Sequence, residues 1–234
     1  MKRMEREQLE VDVLFVGAGP ANLAGALHLS NLVRQHNKGG QLEQQGQKLE
    51  DLTILVIEKS REIGSHALSG AVVDPRGFDE LLEGFPGESP PYDAQVEKDQ
   101  LYVLTENNSF ISPITPPPLN NQGYYVASLG KLVKWLANLC EKQGVEVYPE
   151  FPAVKLLYED QRVIGARVGD KGVDRVGRPK SNFEPGIDVL AKVTVLGEGP
   201  HGTLALQAER QLNLREGCQP QIYSLGVKEI WQAE

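Results

Sequence analysis

The strongest constraint on the fold is a strand, a tight glycine turn and a helix near the start of the chain. An apolar run at residues 11–16 ends abruptly in a GAGPAN turn at residues 17–22, and small residues at helical spacing follow over residues 23–32. This order is how a dinucleotide-binding βαβ unit begins. In such a unit Gly17 allows the sharp turn, Gly19 lets the backbone approach a pyrophosphate, and the first helical amides face the phosphate charge.

The turn departs from the GxGxxG pattern at its last position, where Asn22 replaces the third glycine. That position normally sets the close packing of helix on strand. A single glycine turn is a weak signal, since any doubly wound sheet can contain a similar βα turn. An ordinary βα turn therefore stays an alternative at this point.

A second apolar run, residues 52–57, predicts another buried strand and ends in Glu58. An acid at the tip of the second strand is placed to accept hydrogen bonds from ribose hydroxyls. Glu58 follows Asn22 by 36 residues, where about 20 is usual. The polar stretch at residues 34–51 accounts for the excess as a surface insertion. The alternative for Glu58 is an exposed acid at a strand end.

A second glycine turn lies about 180 residues after the first. Residues 190–196 predict a buried strand, residues 197–202 (GEGPHG) form the turn, and a helix is expected over residues 203–211. NAD-binding domains do not need this second turn, whereas in two-motif flavoproteins it returns to the same nucleotide. The pattern therefore favours FAD over NAD.

The rest of the chain predicts a mixed set of elements around these units. Apolar residues at helical spacing indicate an amphipathic helix over residues 128–140, closed by Gly144. The other expectations are a helix over 77–83 capped by Asp74, loops at 85–93 and 169–186, hairpins at 101–111 and 154–168, and strands at 145–148 and 223–231.

Composition narrows the function classes. The net charge of −8 argues against nucleic acid as a partner. The chain has no apolar run long enough to span a membrane, and its first residues lack the apolar core of a signal peptide, so we expect a cytoplasmic or membrane-peripheral protein. Cys140 and Cys218 are far apart and outside any CxxC pair, which predicts buried thiols and no metal site.

Six sequence blocks span nearly the whole chain: VGAGPANL, VIEKSREIGSHALSGAVVDPRGFDELL, LNNQGYYVASLGKLVKWLA, GVEVYP, LAKVTVLGEGPHGTLA and GVKEIW. In these blocks and their order, the sequence resembles the electron transfer flavoprotein–ubiquinone oxidoreductases. The block that contains GSHALSGA, residues 64–71, is the most specific.

The resemblance implies an α/β, Rossmann-like FAD-binding domain of the two-dinucleotide-motif class, with an inserted β meander and hairpins. Within the domain 1–234, it implies that residues 71–125 belong partly to a substrate- or quinone-side subdomain, and that residues 220–234 begin a second domain. It also implies electron flow from electron transfer flavoprotein through FAD and a [4Fe–4S] cluster to ubiquinone at a membrane face, the mitochondrial inner membrane in a eukaryote.

The resemblance assigns cofactor-binding residues but no catalytic residue and no metal ligand. His66 and Ser69 have alternatives, a hydrogen-bonded core histidine and a turn residue, and His201 is expected to be structural. The implied residues are Gly17, Gly19, Pro20 and Ala21 for the pyrophosphate turn, Glu58 for the ribose, His66, Ser69 and Gly70 for the flavin side, and Glu198, Gly199 and Gly202 for the second nucleotide turn, with Asn22 and Lys59 as further cofactor-binding residues.

Two departures from the family keep other functions open. Ser128 stands where the resemblance implies an arginine that helps to hold FAD. The chain also lacks the cysteine set for the cluster, the later Gly-Asp motif and a complete quinone pocket, so we expect that it cannot complete the electron path alone. The alternatives are a geranylgeranyl-reductase-like or monooxygenase-like flavoenzyme segment, and a catalytically silent nucleotide-binding remnant.

Overall fold

The two glycine turns are carried by a mixed sheet, which has six strands among the residues that the structure describes. This computed structural model describes residues 6–38, 48–49, 52–68, 70–223, 225 and 227. In spatial order the strands are β8 (Glu146–Tyr148), β2 (Ile54–Ile57), β1 (Gln8–Val16), β13 (Asp188–Leu196), β10 (Arg162–Val168) and β9 (Ala153–Glu159). The first four run parallel, and β10 and β9 continue the sheet antiparallel. The predicted α/β class is therefore confirmed.

The central strands are buried on both faces. All four residues of β2 are buried, as expected for a parallel strand covered on each side. In β1, Val13 and Phe15 join one core cluster while Leu14 and Val16 join the other. This alternation follows from the two-residue period of a strand, and it explains why residues 11–16 read as a continuous apolar run.

Helices cover the two faces of the sheet. One core cluster contains α1 (Pro20–Asn37), α3 (Leu129–Lys142) and a residue of the short helix α2 (Arg76–Leu82). The other contains α4 (Thr203–Gln211) together with residues of β9 and β10. The apolar stripe of α3 is buried in the first cluster, so the predicted amphipathic helix is confirmed.

Among the described residues, three smaller antiparallel sheets lie outside the main sheet. Their strands are β3 (Ala71–Val73), β7 (Tyr125–Ala127) and β4 (Tyr92–Gln95) in the first, β5 (Tyr102–Leu104) and β6 (Ser109–Ile111) in the second, and β11 (Lys171–Val173) and β12 (Pro179–Glu184) in the third. Both predicted hairpins, β5–β6 and β9–β10, are confirmed.

Three sequence predictions about local structure were wrong. The expected loop 169–186 contains β11 and β12, whose turn is held by the Asp174 carboxylate accepting from the amides of Val176 and Arg178. The expected loop 85–93 ends in the first residues of β4. Asp74 is not the N-cap of α2, because Pro75 occupies that position.

Two predictions concern the last residues of the chain. The strand expected at 223–231 and the second domain expected at 220–234 fall largely outside the described residues. Within the described ranges, no helix combines the length and apolar character that a membrane crossing requires.

Candidate nucleotide-binding site

The candidate site lies where three parallel strands end side by side. Val16, the last residue of β1, pairs with Ile57 of β2 and with Leu196 of β13. The residues that follow these strands, Gly17, Glu58 and Gly197, therefore meet at one edge of the sheet. In open α/β sheets, ligands bind at this carboxyl edge. The predictions that β1 and β2 are parallel neighbours and that the second turn folds back to the first are confirmed.

The first glycine turn has the backbone that its sequence predicts. Gly17 has φ of +98°, a left-handed conformation that favours glycine. A Cβ at this position would also lie 2.6 Å from the Gly197 carbonyl oxygen. A Cβ at Gly19 would instead meet no atom within 4 Å. The backbone is therefore tightly packed at Gly17 and open at Gly19, the position where a ligand would approach.

The N-terminus of α1 is suited to an anion. Gly19 is its N-cap, Pro20 occupies its first position, and no side chain caps it. The first turn contains no acidic residue, so no carboxylate of that turn offsets the positive end of the helix dipole. Backbone amides at such a helix start bind phosphate well.

The N-terminus of α4 differs in this respect. The Glu198 carboxylate accepts hydrogen bonds from the amides of Leu204 and Ala205, both at 2.9 Å and both through Oε2. These amides belong to the first turn of α4, so the negative charge of Glu198 already occupies the helix start. Of the two turns, the first is consequently the better candidate for the pyrophosphate.

The Glu58 carboxylate accepts hydrogen bonds from two backbone amides, one in the first glycine turn and one in the segment that follows β2. Its Oε2 accepts from the amide of Ala18 and its Oε1 from the amide of Ser60, each at 2.9 Å. Burial raises the pKa of the Glu58 carboxyl, but the hydrogen bonds to its charged form and the nearby His66 outweigh it and lower the pKa below its ordinary value. Glu58 therefore stays ionised as a hydrogen-bond acceptor.

Asn22 is buried rather than turned toward a ligand. It is 4% exposed, and its Nδ2 donates to the carbonyl oxygens of Val16 and Gly17 at 2.9 and 2.8 Å. The amide of Gly197 also donates to the Val16 carbonyl, at 2.9 Å. The side chain at the third-glycine position thus contacts the end of β1.

Gly64, the first residue of the GSHALSGA block, lies against the start of α3. Gly64 has φ of +80°, and a Cβ there would lie 2.8 Å from the Gly130 carbonyl oxygen in the first turn of α3. His66 and Gly70 are exposed, and His66 is close enough to Glu58 to influence its pKa. Ser69 lies outside the described residues.

The remaining predicted residues are distributed around this edge. Lys59 is exposed directly after Glu58, Gly199 has φ of +83°, and Gly202 is the buried N-cap of α4. Ser128, where the resemblance implies arginine, is the N-cap of α3 and is only partly buried.

Two contributors to this edge were not predicted from the sequence. Ser60 is 5% exposed and supplies an amide to Glu58; its position two residues after the strand-end acid was the available signal. Tyr223 stacks on the imidazole of His201, with ring centroids 4.3 Å apart and an interplanar angle of 13°. No sequence pattern pairs these two rings.

The cysteines have different environments. Cys140 is buried, its thiol donates to the Leu23 carbonyl, and burial raises its pKa to about 12. Cys218 is exposed, so the prediction that both thiols are buried was wrong for this residue. Within the described part of the chain, no three His, Cys, Asp or Glu side chains are grouped to hold a metal ion.

Comparison with known proteins reproduces the sequence resemblance. Over 230 residues, 97% of this chain, it is 43% identical to the mitochondrial electron transfer flavoprotein–ubiquinone oxidoreductase of Sus scrofa and 40% identical to that of Homo sapiens. The chain matches the N-terminal third of electron transfer flavoprotein–ubiquinone oxidoreductases. It spans 35% of the length of these two relatives. No protein-family model matches it.

Solved structures support the fold. A geranylgeranyl bacteriochlorophyll reductase-like protein from Thermoplasma acidophilum superposes with a TM-score of 0.52 at 22% identity, covering 81% of this chain and 39% of that protein. The flavin-dependent monooxygenase PieE, solved with FAD and substrate, gives 0.51 at 16% identity, covering 88% of this chain and 32% of that protein. The chain therefore has the Rossmann-like fold of FAD-dependent enzymes.

Proposed function

We propose that this chain is the FAD-binding portion of an oxidoreductase that passes electrons from electron transfer flavoprotein to ubiquinone. The observation that carries the proposal is the meeting of Gly17, Glu58 and Gly197 at one sheet edge, in a chain about 40% identical to such oxidoreductases. The sequence identity to these oxidoreductases favours this function over the reductase-like and monooxygenase-like alternatives. The solved structures of those two kinds share only the fold with this chain.

The described residues fit the adenosine diphosphate half of FAD. The uncapped start of α1 and the open face of Gly19 suit the pyrophosphate. The ionised carboxylate of Glu58, with Lys59 beside it, suits the ribose hydroxyls. In this proposal Asn22, Glu198, Gly199 and Gly202 shape the two turns, while Pro20 and Ala21 begin the helix that faces the phosphate.

The flavin half is assigned to the block that follows Glu58. His66, Ser69 and Gly70 are proposed to approach the isoalloxazine ring, which supplies the redox chemistry when FAD is bound. Gly64 positions the described part of this block by packing on the start of α3. In this proposal residues outside this chain hold the [4Fe–4S] cluster, because four cysteines are usual for such a cluster and this sequence has two.

Residues 71–125 are proposed to lie on the quinone side. Their strands form sheets separate from the main sheet. The β5–β6 hairpin and the segment after it expose large apolar side chains, with Leu104 at 74%, Phe110 at 60% and Ile114 at 72%. Such a surface is typical of an interaction site, and in this proposal it lies at a membrane, the mitochondrial inner membrane if the protein is eukaryotic.

A flavin titration tests the proposal. Addition of FAD to the purified chain, monitored by the quenching of flavin fluorescence, is expected to show saturable one-to-one binding. Glu58→Ala should weaken it by about 1.5–3 kcal/mol, the range for a hydrogen bond to a charged group. A flavin titration that shows no saturation favours the silent nucleotide-binding alternative, and an unchanged titration in the variant removes Glu58 from the site.

A further inference from the structure

Asn22 and Gly197 occupy one shared space between the two glycine turns. A Cβ at residue 197 would lie 2.2 Å from Asn22 Oδ1 and 2.3 Å from its Cγ. These are the closest approaches to that position, and all of them come from the Asn22 side chain. The atoms that a side chain at residue 197 would meet first are therefore those of Asn22.

The backbone of Gly197 does not itself require glycine. Positive φ values occur at Gly17 and Gly199 but not at Gly197. No left-handed φ therefore excludes alanine at residue 197, and the amide of Asn22 is the nearest obstruction to its Cβ. Gly17 is different, since its φ is +98° and its nearest contact is a backbone oxygen.

The same amide is fixed in place by two hydrogen bonds. Asn22 Nδ2 donates to the carbonyl oxygens of Val16 and Gly17, and the Gly197 amide donates to the Val16 oxygen as well. The Val16 carbonyl thus joins the end of β1, the start of α1 and the second turn. Gly17 is followed by Ala18, whose amide donates to Glu58. A shift of Asn22 would therefore move the backbone groups around the proposed ribose and pyrophosphate positions.

We propose that Asn22 is a positioning residue that fixes the two glycine turns to each other, and that residues 22 and 197 form an exchangeable pair. When residue 22 is asparagine, residue 197 must be glycine; when residue 22 is glycine, residue 197 can be alanine. This inference rests on the proposed function in that the two turns together hold FAD.

A double-mutant cycle on FAD affinity tests the pair. Gly197→Ala is expected to weaken FAD binding about tenfold when residue 22 is asparagine, and less than about twofold in the Asn22→Gly background, within the range of coupling between residues in contact. Effects that multiply independently in the double variant would overturn the proposal. If the single variants do not fold, a folded double variant supports it and an unfolded double variant overturns it.

A second pair, formed by Asn31 of α1 and Gly84 just after α2, serves as the matched control. Asn31 is also buried, at 7% exposure, and a Cβ at Gly84 would lie 2.3 Å from its Nδ2. Asn31 is about 13 Å from Asn22 along the helix. Asn31→Gly and Gly84→Ala should therefore lower the unfolding free energy and leave FAD affinity unchanged. An equal loss of affinity in this control would show that helix stability alone matters, which would overturn the positioning role.

The unfolding free energies of the same variants separate this proposal from the proposed function. If the wild-type chain binds no FAD, the proposed function fails, and urea unfolding then decides the pair. A Gly197→Ala effect that disappears in the Asn22→Gly background supports the pair, and an effect of equal size in both backgrounds overturns it.

Discussion

Glu58 and Glu198 allow a matched test, because each carboxylate accepts two backbone amides in a different way. Glu58 uses Oε2 for Ala18 and Oε1 for Ser60. Glu198 uses Oε2 alone for both of its amides. A glutamine keeps one carbonyl oxygen and replaces the other with an NH₂ donor. Glu58→Gln must therefore leave one amide without an acceptor, whereas Glu198→Gln can keep both bonds.

The magnitudes follow from this difference. A hydrogen bond to a charged group contributes about 1.5–3 kcal/mol, and the partial exposure of Glu58 places the expected loss near the lower end. Glu198→Gln removes mainly the attraction between a carboxylate and the helix dipole, about 0.3–1 kcal/mol. The unfolding free energy of Glu58→Gln should consequently be lower than that of Glu198→Gln.

Urea unfolding of the two variants beside the wild type measures these values. Glu58 has a pKa below its ordinary value in the folded chain. Its stabilisation is therefore complete above the pKa of the unfolded chain and is lost as pH falls through the folded-state pKa. Glu58→Gln should remove that part of the acid-side decline. Equal losses in both variants at neutral pH would refute the assignment of one oxygen to each amide.

Three further results are expected. Gly17→Ala should destabilise the chain by more than about 1–2 kcal/mol in urea unfolding, since positive φ and contact with the Gly197 carbonyl act together; a smaller loss would contradict the close approach of the turns. Ser128→Arg should tighten FAD binding by about tenfold or more through a charge-assisted contact, and an unchanged titration would show that the missing arginine is irrelevant. Tested alone with reduced electron transfer flavoprotein and a soluble quinone analogue, the chain should show no turnover, because two cysteines cannot supply a four-thiolate cluster; turnover above background would contradict this.

The main sheet could be predicted because its strands are strongly apolar and end in diagnostic residues. The runs before Gly17, Glu58 and Gly197 gave three parallel strands and, with them, the edge that carries the site. The β11–β12 hairpin could not be predicted in the same way. Its strands are short and mostly polar, without apolar alternation, and its turn depends on side-chain hydrogen bonds of Asp174.

The roles of two polar side chains, Asn22 and Glu198, also could not be predicted from the sequence pattern. The glycine motif identified Asn22 only as a replacement for the third glycine. The motif carries no information about residue 197, whose side-chain space Asn22 occupies. Glu198 is predicted as part of the second nucleotide turn, and the sequence did not predict that its carboxylate accepts from the first-turn amides of α4. Asn22 meets Gly197 only in the folded chain, whereas the partners of Glu198 are amides six and seven residues later in the sequence.

Amide hydrogen exchange with and without FAD measures directly whether the nucleotide binds at the sheet edge that carries the two glycine turns and Glu58. FAD is expected to slow exchange in three separate segments, residues 17–22, 58–60 and 197–202, and to leave the β9–β10 hairpin unchanged. Protection confined to another part of the chain, or no protection at saturating FAD, would contradict a nucleotide site at this edge of the sheet.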